Sequence, residues 1–259
     1  MKHNILAINH SQDIGGAYKS FRLAFSMLEK SVYVDNIFYI NGNNKLKTIN
    51  NKFPIPFDCS YLGSEMPKYK GLAYSLILYL KYLILSFHRI LRLIKGSRID
   101  IIYLNSYVLW PVLIFRAKNV KYIIHIREII DRRKYPFITI LSRHFIKKAN
   151  AIICIDSISQ KALSIKKAVI IRNPFNMELA INYRNREHEI REELGIPYDI
   201  NIFSIIGRIE EVKGVDFLLE ASEYISNIMI LVIGSVTKGY GKACYLKYKN
   251  NNKVKFVPP

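Results

Sequence analysis

The sequence contains few cysteines, glycines and prolines, and each scarcity excludes a class of protein. Cys59, Cys154 and Cys244 stand far apart and show no CxxC spacing, which argues against a disulfide framework or a zinc site and fits a reducing cytosol. Twelve glycines and nine prolines in 259 residues are too few for a collagen-like or low-complexity chain. The N-terminus lacks the long apolar run and the small-residue cleavage site of a signal peptide. We therefore expect a cytoplasmic globular protein.

Acidic residues are also scarce, because 39 Lys and Arg residues face 20 Asp and Glu residues, for a formal net charge of +19. The basic residues concentrate between Lys81 and Lys148, where only Asp100, Glu128 and Asp131 are acidic. Such a balance favours a polyanionic partner: nucleic acid, an anionic membrane face or a phosphorylated ligand. The sequence has no helix-turn-helix, RNA-recognition or zinc signature, so we do not expect nucleic acid as the partner. The alternative is a lysine-rich composition without a specific partner.

Short β-branched runs alternate with longer helical patterns along the whole chain, which predicts βαβ units around a parallel sheet. After Asn173-Pro174 the alternation starts again. We expect an α/β protein with a complete Rossmann-like domain over residues 1–172 and the first half of a second over 173–259. The predicted strands are 4–9, 36–40, 100–104, 122–125, 151–155, 168–171, 201–206 and 228–233. The predicted helices are 17–30, 72–95, 107–118, 136–148, 157–164, 186–194 and 215–225.

The helix over residues 72–95 is apolar enough to raise the question of a membrane span. Lys81 interrupts it, and a central lysine costs about 2.5–3.5 kcal/mol on insertion scales. The apolar run on either side is shorter than the roughly 20 residues that a span needs. A basic stripe lies opposite its leucines, so packing against the sheet is the preferred interpretation, with an interfacial helix on anionic lipid as the alternative.

Two glycines, Gly15 and Gly16, stand between the first predicted strand and the first predicted helix. Glycine lets the backbone come close to a ligand, and a helix N-terminus offers free N–H groups to an anion such as a diphosphate. The spacing is not the GxGxxG of a dinucleotide site. A tight turn that needs glycine for steric reasons is the alternative.

His125 falls at the carboxyl end of the predicted strand 122–125, where open α/β sheets place their ligands. A histidine there can hydrogen-bond a sugar hydroxyl or carry a proton near neutral pH. Arg127 and Glu128 are candidates to orient it. The alternative is a strand-end histidine whose polar atoms are satisfied by the backbone.

The segment from Gly207 to Gly214 places two cations, Arg208 and Lys213, between a buried strand and an amphipathic helix. Arginine offers a planar fork and lysine a point charge, and both suit a nucleotide diphosphate. Together they can stabilise the negative charge of a departing diphosphate without a metal. A solvated charged turn is the alternative.

The pattern Gly207-Arg208, Lys213-Gly214 and the following Leu-Leu-Glu helix resembles the donor-diphosphate motif of the family-4 retaining glycosyltransferases, which have the two-domain GT-B fold. Other segments resemble the family's landmarks in the same order along the chain. They are the Gly15-Gly16 turn, the strand Arg98–Tyr103, His125, the segment Ile171–Pro174 and the strand Ile230–Gly234.

This resemblance implies a nucleotide sugar, often a UDP- or GDP-hexose, as donor substrate, with no cofactor and no metal. Arg208 and Lys213 would hold its diphosphate, Gly16 would approach the donor, and His125 would contact the sugar. The anomeric configuration would be retained. The acceptor would be a polysaccharide or a lipid-linked glycan, and the basic region would hold the protein peripherally at the inner face of the plasma membrane.

The sequence departs from the family's pattern at its C-terminal end. The family's acidic pair, two glutamates separated by seven residues, and its final helix are not found in residues 1–259. We therefore expect a chain truncated at its C-terminus, or a complementing C-terminal polypeptide that supplies the rest. The alternative function is that of a non-catalytic remnant or partner subunit.

Overall fold

The computed structural model describes residues 2–9, 16–41, 88, 90–92, 94–128, 136–175, 177, 181 and 186–258. The chain divides into two compact units, Met1–Phe175 and Asn176–Pro259. Gly15, a predicted diphosphate-binding residue, and most of the predicted helix 72–95 lie outside the described residues. Within that helix, residues 88, 90–92 and 94–95 are described and helical, and the helical conformation continues through residue 97.

The first unit is built on a parallel sheet of six described strands in the order β2-β1-β3-β4-β5-β6. Every neighbouring pair runs parallel. This confirms the α/β class expected from the alternating pattern. The strands are β1 (His3–Asn9), β2 (Val34–Asn41), β3 (Ile101–Leu104), β4 (Lys121–Ile126), β5 (Ala151–Cys154) and β6 (Val169–Ile170).

Helix α1 (Gly16–Leu28) covers one face of this sheet. Phe21 and Phe25 are 2% and 1% exposed and pack with Ile5, Ala7 and Ile37 of β1 and β2. Leu28, which ends the helix, is 39% exposed.

A larger core fills another face of the first unit, around Leu6, Ile102, Ile124 and Ile152. Helices α2 (Pro136–Ile146) and α3 (Ser157–Leu163) contribute Ile146 and Leu163 to it.

A 3-10 helix, Tyr107–Leu113, packs into the same core. The sequence pattern predicts a helix over 107–118. A helix is present, but it is of the 3-10 type and ends at Leu113. Pro111 lies inside the segment and has no N–H to donate, and the amide of Ile114 bonds the carbonyl of Pro111 at 3.0 Å, an i to i+3 spacing. The buried run Leu109–Leu113 is kept by this tighter helix.

The second unit contains a parallel sheet in the order β7-β8-β9, formed by Asn201–Ile206, Ile228–Ile233 and Val254–Val257. Its helices are α4 (Glu187–Leu194), α5 (Val215–Ala221) and α6 (Tyr240–Tyr248). The predicted helix 215–225 stops at Ala221, and a 3-10 turn, Ser222–Tyr224, follows it. Helix α6 has no counterpart among the predicted elements.

Within the part of the chain that the structure describes, no helix has both the length and the apolar character needed to cross a bilayer.

Candidate functional site

The first unit places a cluster of polar side chains at the carboxyl ends of its central strands. Strand β1 pairs with β2 on one side and with β3 on the other, so the order of connections reverses between β1 and β3. Ligands of open α/β sheets bind at such a switch point, outside the carboxyl ends of the strands. Asn9 ends β1 and Asn105 follows β3, and both side chains are fully buried. The amide of Asn105 donates to Oδ1 of Asn9 at 2.9 Å.

Arg127, directly after β4, joins this cluster to two other segments. Its Nε donates to Oδ1 of Asn105 at 2.8 Å, and its Nη1 donates to Oγ of Ser20 in α1 at 2.7 Å. Nη1 also donates to Oδ1 of Asn173 at 2.5 Å. Burial lowers the pKa of the guanidinium, opposed by nearby Tyr103 and Glu128. A guanidinium with these partners acts as a rigid brace between helix α1, the segment after β3 and the segment after β6.

Glu128 organises the start of the 3-10 helix. Its Oε2 accepts from the backbone N–H of Tyr107 at 2.9 Å and of Arg127 at 3.1 Å, and its Oε1 accepts from the hydroxyl of Ser106. The Ser106 hydroxyl in turn accepts from the N–H of Val108 at 3.1 Å. The expectation that Arg127 and Glu128 orient His125 stays a prediction. Arg127 is hydrogen-bonded to Tyr103, whose hydroxyl in turn contacts His125.

His125 is 4% exposed, and its Nδ1 lies 2.5 Å from the hydroxyl of Tyr103 on β3. Its Nε2 is buried and has no hydrogen-bond partner within the described residues. Burial, and then the positive charge of Arg127, lower the pKa of His125 from 6.5 to about 3. The imidazole is therefore neutral at neutral pH, which favours a hydrogen-bonding role over the role of a proton carrier.

Gly16 is the first residue of α1 and is exposed. A Cβ at this position would meet no atom of the described residues within 4 Å. Steric exclusion by described atoms therefore does not explain the glycine. Its carbonyl accepts from Ser20 Oγ at 2.9 Å, which links the helix start to the Arg127 brace.

In the second unit, the carboxyl ends of β7 and β8 approach each other through two glycines. Gly207 has a φ of 143° and Gly234 a φ of 151°, both in the region that favours glycine. A Cβ on Gly234 would lie 1.8 Å from the carbonyl oxygen of Gly207. The loop after β7 is also tied to the loop after β8 by the bond from the N–H of Ile209 to the carbonyl of Ser235, at 3.0 Å.

The two predicted cations lie on this fixed loop. The side chain of Arg208 is 60% exposed, and its Nε is 3.1 Å from Oε1 of Glu210. Lys213 is exposed at the end of a 3-10 turn, Glu211–Lys213. Gly214 follows with a φ of 63° and starts α5. Buried Ile209 anchors the loop, so the cations are presented to solvent from a defined backbone.

Sequence reasoning missed Tyr103, Asn105, Ser20 and Asn173. Asn105 could have been found, because a polar residue directly after a buried parallel strand lies at the ligand edge of the sheet. Tyr103 carries no such signal, since its contact with His125 depends on the register between β3 and β4. Among the described residues, no group of three His, Cys, Asp or Glu side chains is placed to hold a metal ion.

Solved structures of three kinds are similar to this chain. The sucrose-phosphate synthase of Thermosynechococcus elongatus has a TM-score of 0.70 at 15% identity, covering 99% of this chain and 70% of that one. HepE of Anabaena in complex with UDP has a TM-score of 0.64 at 16% identity, and the match covers 100% of this chain and 69% of HepE. The UDP-GlcNAc 2-epimerase of Neisseria meningitidis bound to UDP-GlcNAc has a TM-score of 0.60 at 9% identity, and the match covers 99% of this chain and 72% of the epimerase.

No protein-family profile matches the sequence, and no curated protein matches it. At the identities of the similar structures, the likeness establishes the fold. The expected α/β architecture of the GT-B type is confirmed by it.

Proposed function

We propose that this chain is a glycosyltransferase that moves a hexose from a nucleotide diphosphate sugar onto a polysaccharide or lipid-linked glycan acceptor. The sugar keeps its anomeric configuration and the reaction uses no metal. The observation that carries the proposal is the pair of exposed cations, Arg208 and Lys213, on the glycine-bounded loop at the carboxyl end of β7.

This loop has the chemistry that a diphosphate requires. Arg208 supplies a fork of N–H donors and Lys213 a mobile ammonium, and both neutralise the charge that develops on a leaving nucleotide diphosphate. Arg208 is paired with Glu210 at 3.1 Å in the described structure. An exposed ion pair of this kind contributes about 0–1 kcal/mol, so the two charges of a diphosphate can displace it.

The first unit supplies the chemistry that a sugar requires. Nε2 of His125 and the braced polar cluster of Asn9, Asn105 and Arg127 lie at the switch point of the sheet. Buried polar atoms without a protein partner are completed by ligand hydroxyls in carbohydrate sites. A neutral imidazole contributes a hydrogen bond to the sugar without adding charge.

The similar structures add the nucleotide to this argument. HepE was solved with UDP-glucose and with UDP and glucose, and a UDP-GlcNAc 2-epimerase shares the fold. The fold therefore suits a nucleotide sugar but serves transfer and epimerisation alike. The resemblance of the Gly207–Gly214 loop to a transferase motif favours transfer.

Nucleotide binding is the direct test of the loop assignment. By calorimetry with UDP and GDP, we expect binding to the unaltered chain and a roughly 10–100-fold loss in Arg208→Ala and in Lys213→Ala, because a hydrogen bond to a charged group contributes about 1.5–3 kcal/mol. Lys249→Ala, which removes an exposed lysine elsewhere in the same unit, is the matched control. Unchanged binding in both loop variants would refute the assignment.

The alternative is a non-catalytic remnant or partner subunit of such an enzyme. Mass spectrometry of an acceptor glycan incubated with UDP- or GDP-hexoses, together with proton NMR of the donor, separates the possibilities. A glycan heavier by one hexose supports transfer. A donor isomerised without a change of mass indicates an epimerase, and nucleotide binding without either product supports the partner subunit. If turnover needs a complementing C-terminal polypeptide, adding that polypeptide restores it.

The distribution of charge supports an anionic membrane surface as a further partner. Exposed basic residues gather just before β3, β4, β5 and β6, which places them at the amino edge of the sheet. They are Lys95, Arg98, Arg116, Lys118, Lys121, Lys147, Lys148, Lys166 and Lys167. The described acid in these segments, Asp100, accepts from the N–H of Asn4 at 2.8 Å. This basic edge would hold the protein at the cytoplasmic leaflet, near a lipid-linked acceptor.

A further inference from the structure

The hydroxyl of Tyr103 reaches the imidazole of His125 across two neighbouring strands. Tyr103 pairs in register with Ile123, so His125, two residues further along β4, lies on the same face of the sheet. The two rings stand perpendicular, with centroids 6.0 Å apart at 88°. The hydroxyl oxygen and Nδ1 are 2.5 Å apart.

The ring of Tyr103 is fixed by aromatic packing. Phe25 of α1 meets it edge to face at 4.9 Å and 79°, and Phe21 lies 6.4 Å away. Both phenylalanines are buried. The phenol therefore approaches Nδ1 from a direction that α1 determines.

The surrounding charges decide which atom of this pair donates. Burial raises the pKa of Tyr103 to about 12, so the phenol keeps its proton, and nearby Arg127 opposes that rise. A guanidinium attracts the lone pairs of the phenol oxygen and turns the O–H away from itself. The same positive charge disfavours an imidazolium at His125. The consistent arrangement is an O–H that donates to a bare Nδ1, with the ring proton on Nε2.

We propose that Tyr103 is a positioning residue that holds His125 in the Nε2–H tautomer, so that this buried N–H donates to an oxygen of the substrate. That the substrate is a sugar and the oxygen a hydroxyl rests on the proposed function. Nε2 has no partner within the described residues, and His125 is more than nine-tenths buried. A buried N–H of this kind is completed by a ligand acceptor.

Nitrogen NMR of histidine-labelled protein reads the tautomer directly, in the free protein. The resonances of His125 are identified as those lost in His125→Asn. We expect a protonated Nε2 and a bare, hydrogen-bonded Nδ1, and a displaced Nδ1 resonance in Tyr103→Phe. This substitution keeps the ring and its packing against Phe21 and Phe25 and removes only the hydroxyl.

Tyr39→Phe is the matched control. Tyr39 packs against the same two phenylalanines, at 6.1 Å and 5.9 Å, but its hydroxyl donates to Glu29 at 2.7 Å. It should leave the His125 resonances unchanged. A proton on Nδ1 in the unaltered chain, or equal His125 resonances in Tyr103→Phe and the unaltered chain, would overturn the proposal.

The same variant separates this inference from the proposed function. Where a transfer activity is measured, Tyr103→Phe should lower kcat/KM about tenfold, the loss of one well-placed hydrogen bond, while Tyr39→Phe should not. Wild-type kcat/KM in Tyr103→Phe would overturn the positioning role. If no transfer occurs with any donor, the proposed function fails, whereas the tautomer measurement still decides the role of Tyr103.

Discussion

The contact between Gly234 and Gly207 makes a sharp prediction about the second unit. A Cβ built on Gly234 would lie 1.8 Å from the carbonyl oxygen and 2.6 Å from the carbonyl carbon of Gly207. Both atoms belong to backbone that the sheet holds, since the N–H of Gly207 bonds Ile233 at 2.9 Å and the N–H of Gly234 bonds Val257 at 3.0 Å. Gly234→Ala must therefore push the ends of β7 and β8 apart.

The cost of this substitution has two parts. A residue with a Cβ at a φ of 151° is strained, by about 1–3 kcal/mol. Displacing backbone to relieve the overlap costs about 1–3 kcal/mol more. We expect a total near 4 kcal/mol, which is a large fraction of the roughly 4–13 kcal/mol expected for a unit of this size at about 0.05–0.15 kcal/mol per residue. Gly234→Ala should therefore strongly lower the urea midpoint of the second unit.

Urea denaturation followed by circular dichroism measures this effect, with Gly195→Ala as the control. Gly195 also has a positive φ, 63°, but a Cβ there would meet no described atom within 4 Å, so its replacement should cost only about 1–2 kcal/mol. The single tryptophan, Trp110, lies in the first unit, and its emission checks that this unit remains folded. Equal midpoints for the two variants would refute the reasoning.

Two further predictions concern titration and charge. The pKa of His125 falls from 6.5 to about 3 on folding. Its contribution to stability is therefore present above pH 6.5 and is lost as the pH falls towards 3, by about 1.4 kcal/mol per pH unit. Urea midpoints measured across this range should fall less steeply with pH in His125→Asn than in the unaltered chain, and equal slopes would contradict the burial of a neutral imidazole. Replacing Lys147 and Lys148 by glutamate should weaken binding to phosphatidylglycerol vesicles, measured by cosedimentation, by at least about 1 kcal/mol of binding free energy per lysine. Replacing Lys242 and Lys249, exposed lysines of the second unit, should have a smaller effect. Equal losses would refute a role for the basic edge.

The strands could be predicted from sequence because a buried parallel strand is a short β-branched run bounded by polar residues. The predicted strand over 228–233 matches β8, which is mostly buried. The predicted strand over 201–206 matches β7 in its bounds, but the expected burial is not found there, because the residues of β7 are exposed or half-buried in the described structure. Helical segments were harder to predict. Hydrophobic spacing alone does not separate an α-helix from the 3-10 helix at Tyr107–Leu113, where Pro111 and the cap by Ser106 decide the geometry.

The candidate site could be predicted only where position along the chain carries the signal. His125 and Arg208 stand at strand ends, and topology places strand ends at the ligand edge. Their partners follow from three-dimensional contacts instead: Tyr103 reaches His125 through strand register, and Arg127 reaches Ser20 and Asn173, which are distant in sequence. The sequence offered Arg127 and Glu128 as partners of His125. In the described structure the Tyr103 hydroxyl lies at Nδ1 of His125, and Arg127 is hydrogen-bonded to Tyr103.

The polar cluster of the first unit is costly to bury, and this cost argues for a binding role. Asn9 and Asn105 are fully buried, and their amide groups lose water that a folded core must replace. Arg127 and the bond between the two asparagines meet most of that requirement within the protein. His125 lies beside this cluster, and its Nε2 is buried without a hydrogen-bond partner among the described residues. A preorganised network with one such position suits the proposed sugar site, because a hydroxyl can satisfy a neutral donor there without bringing a second charge into the core.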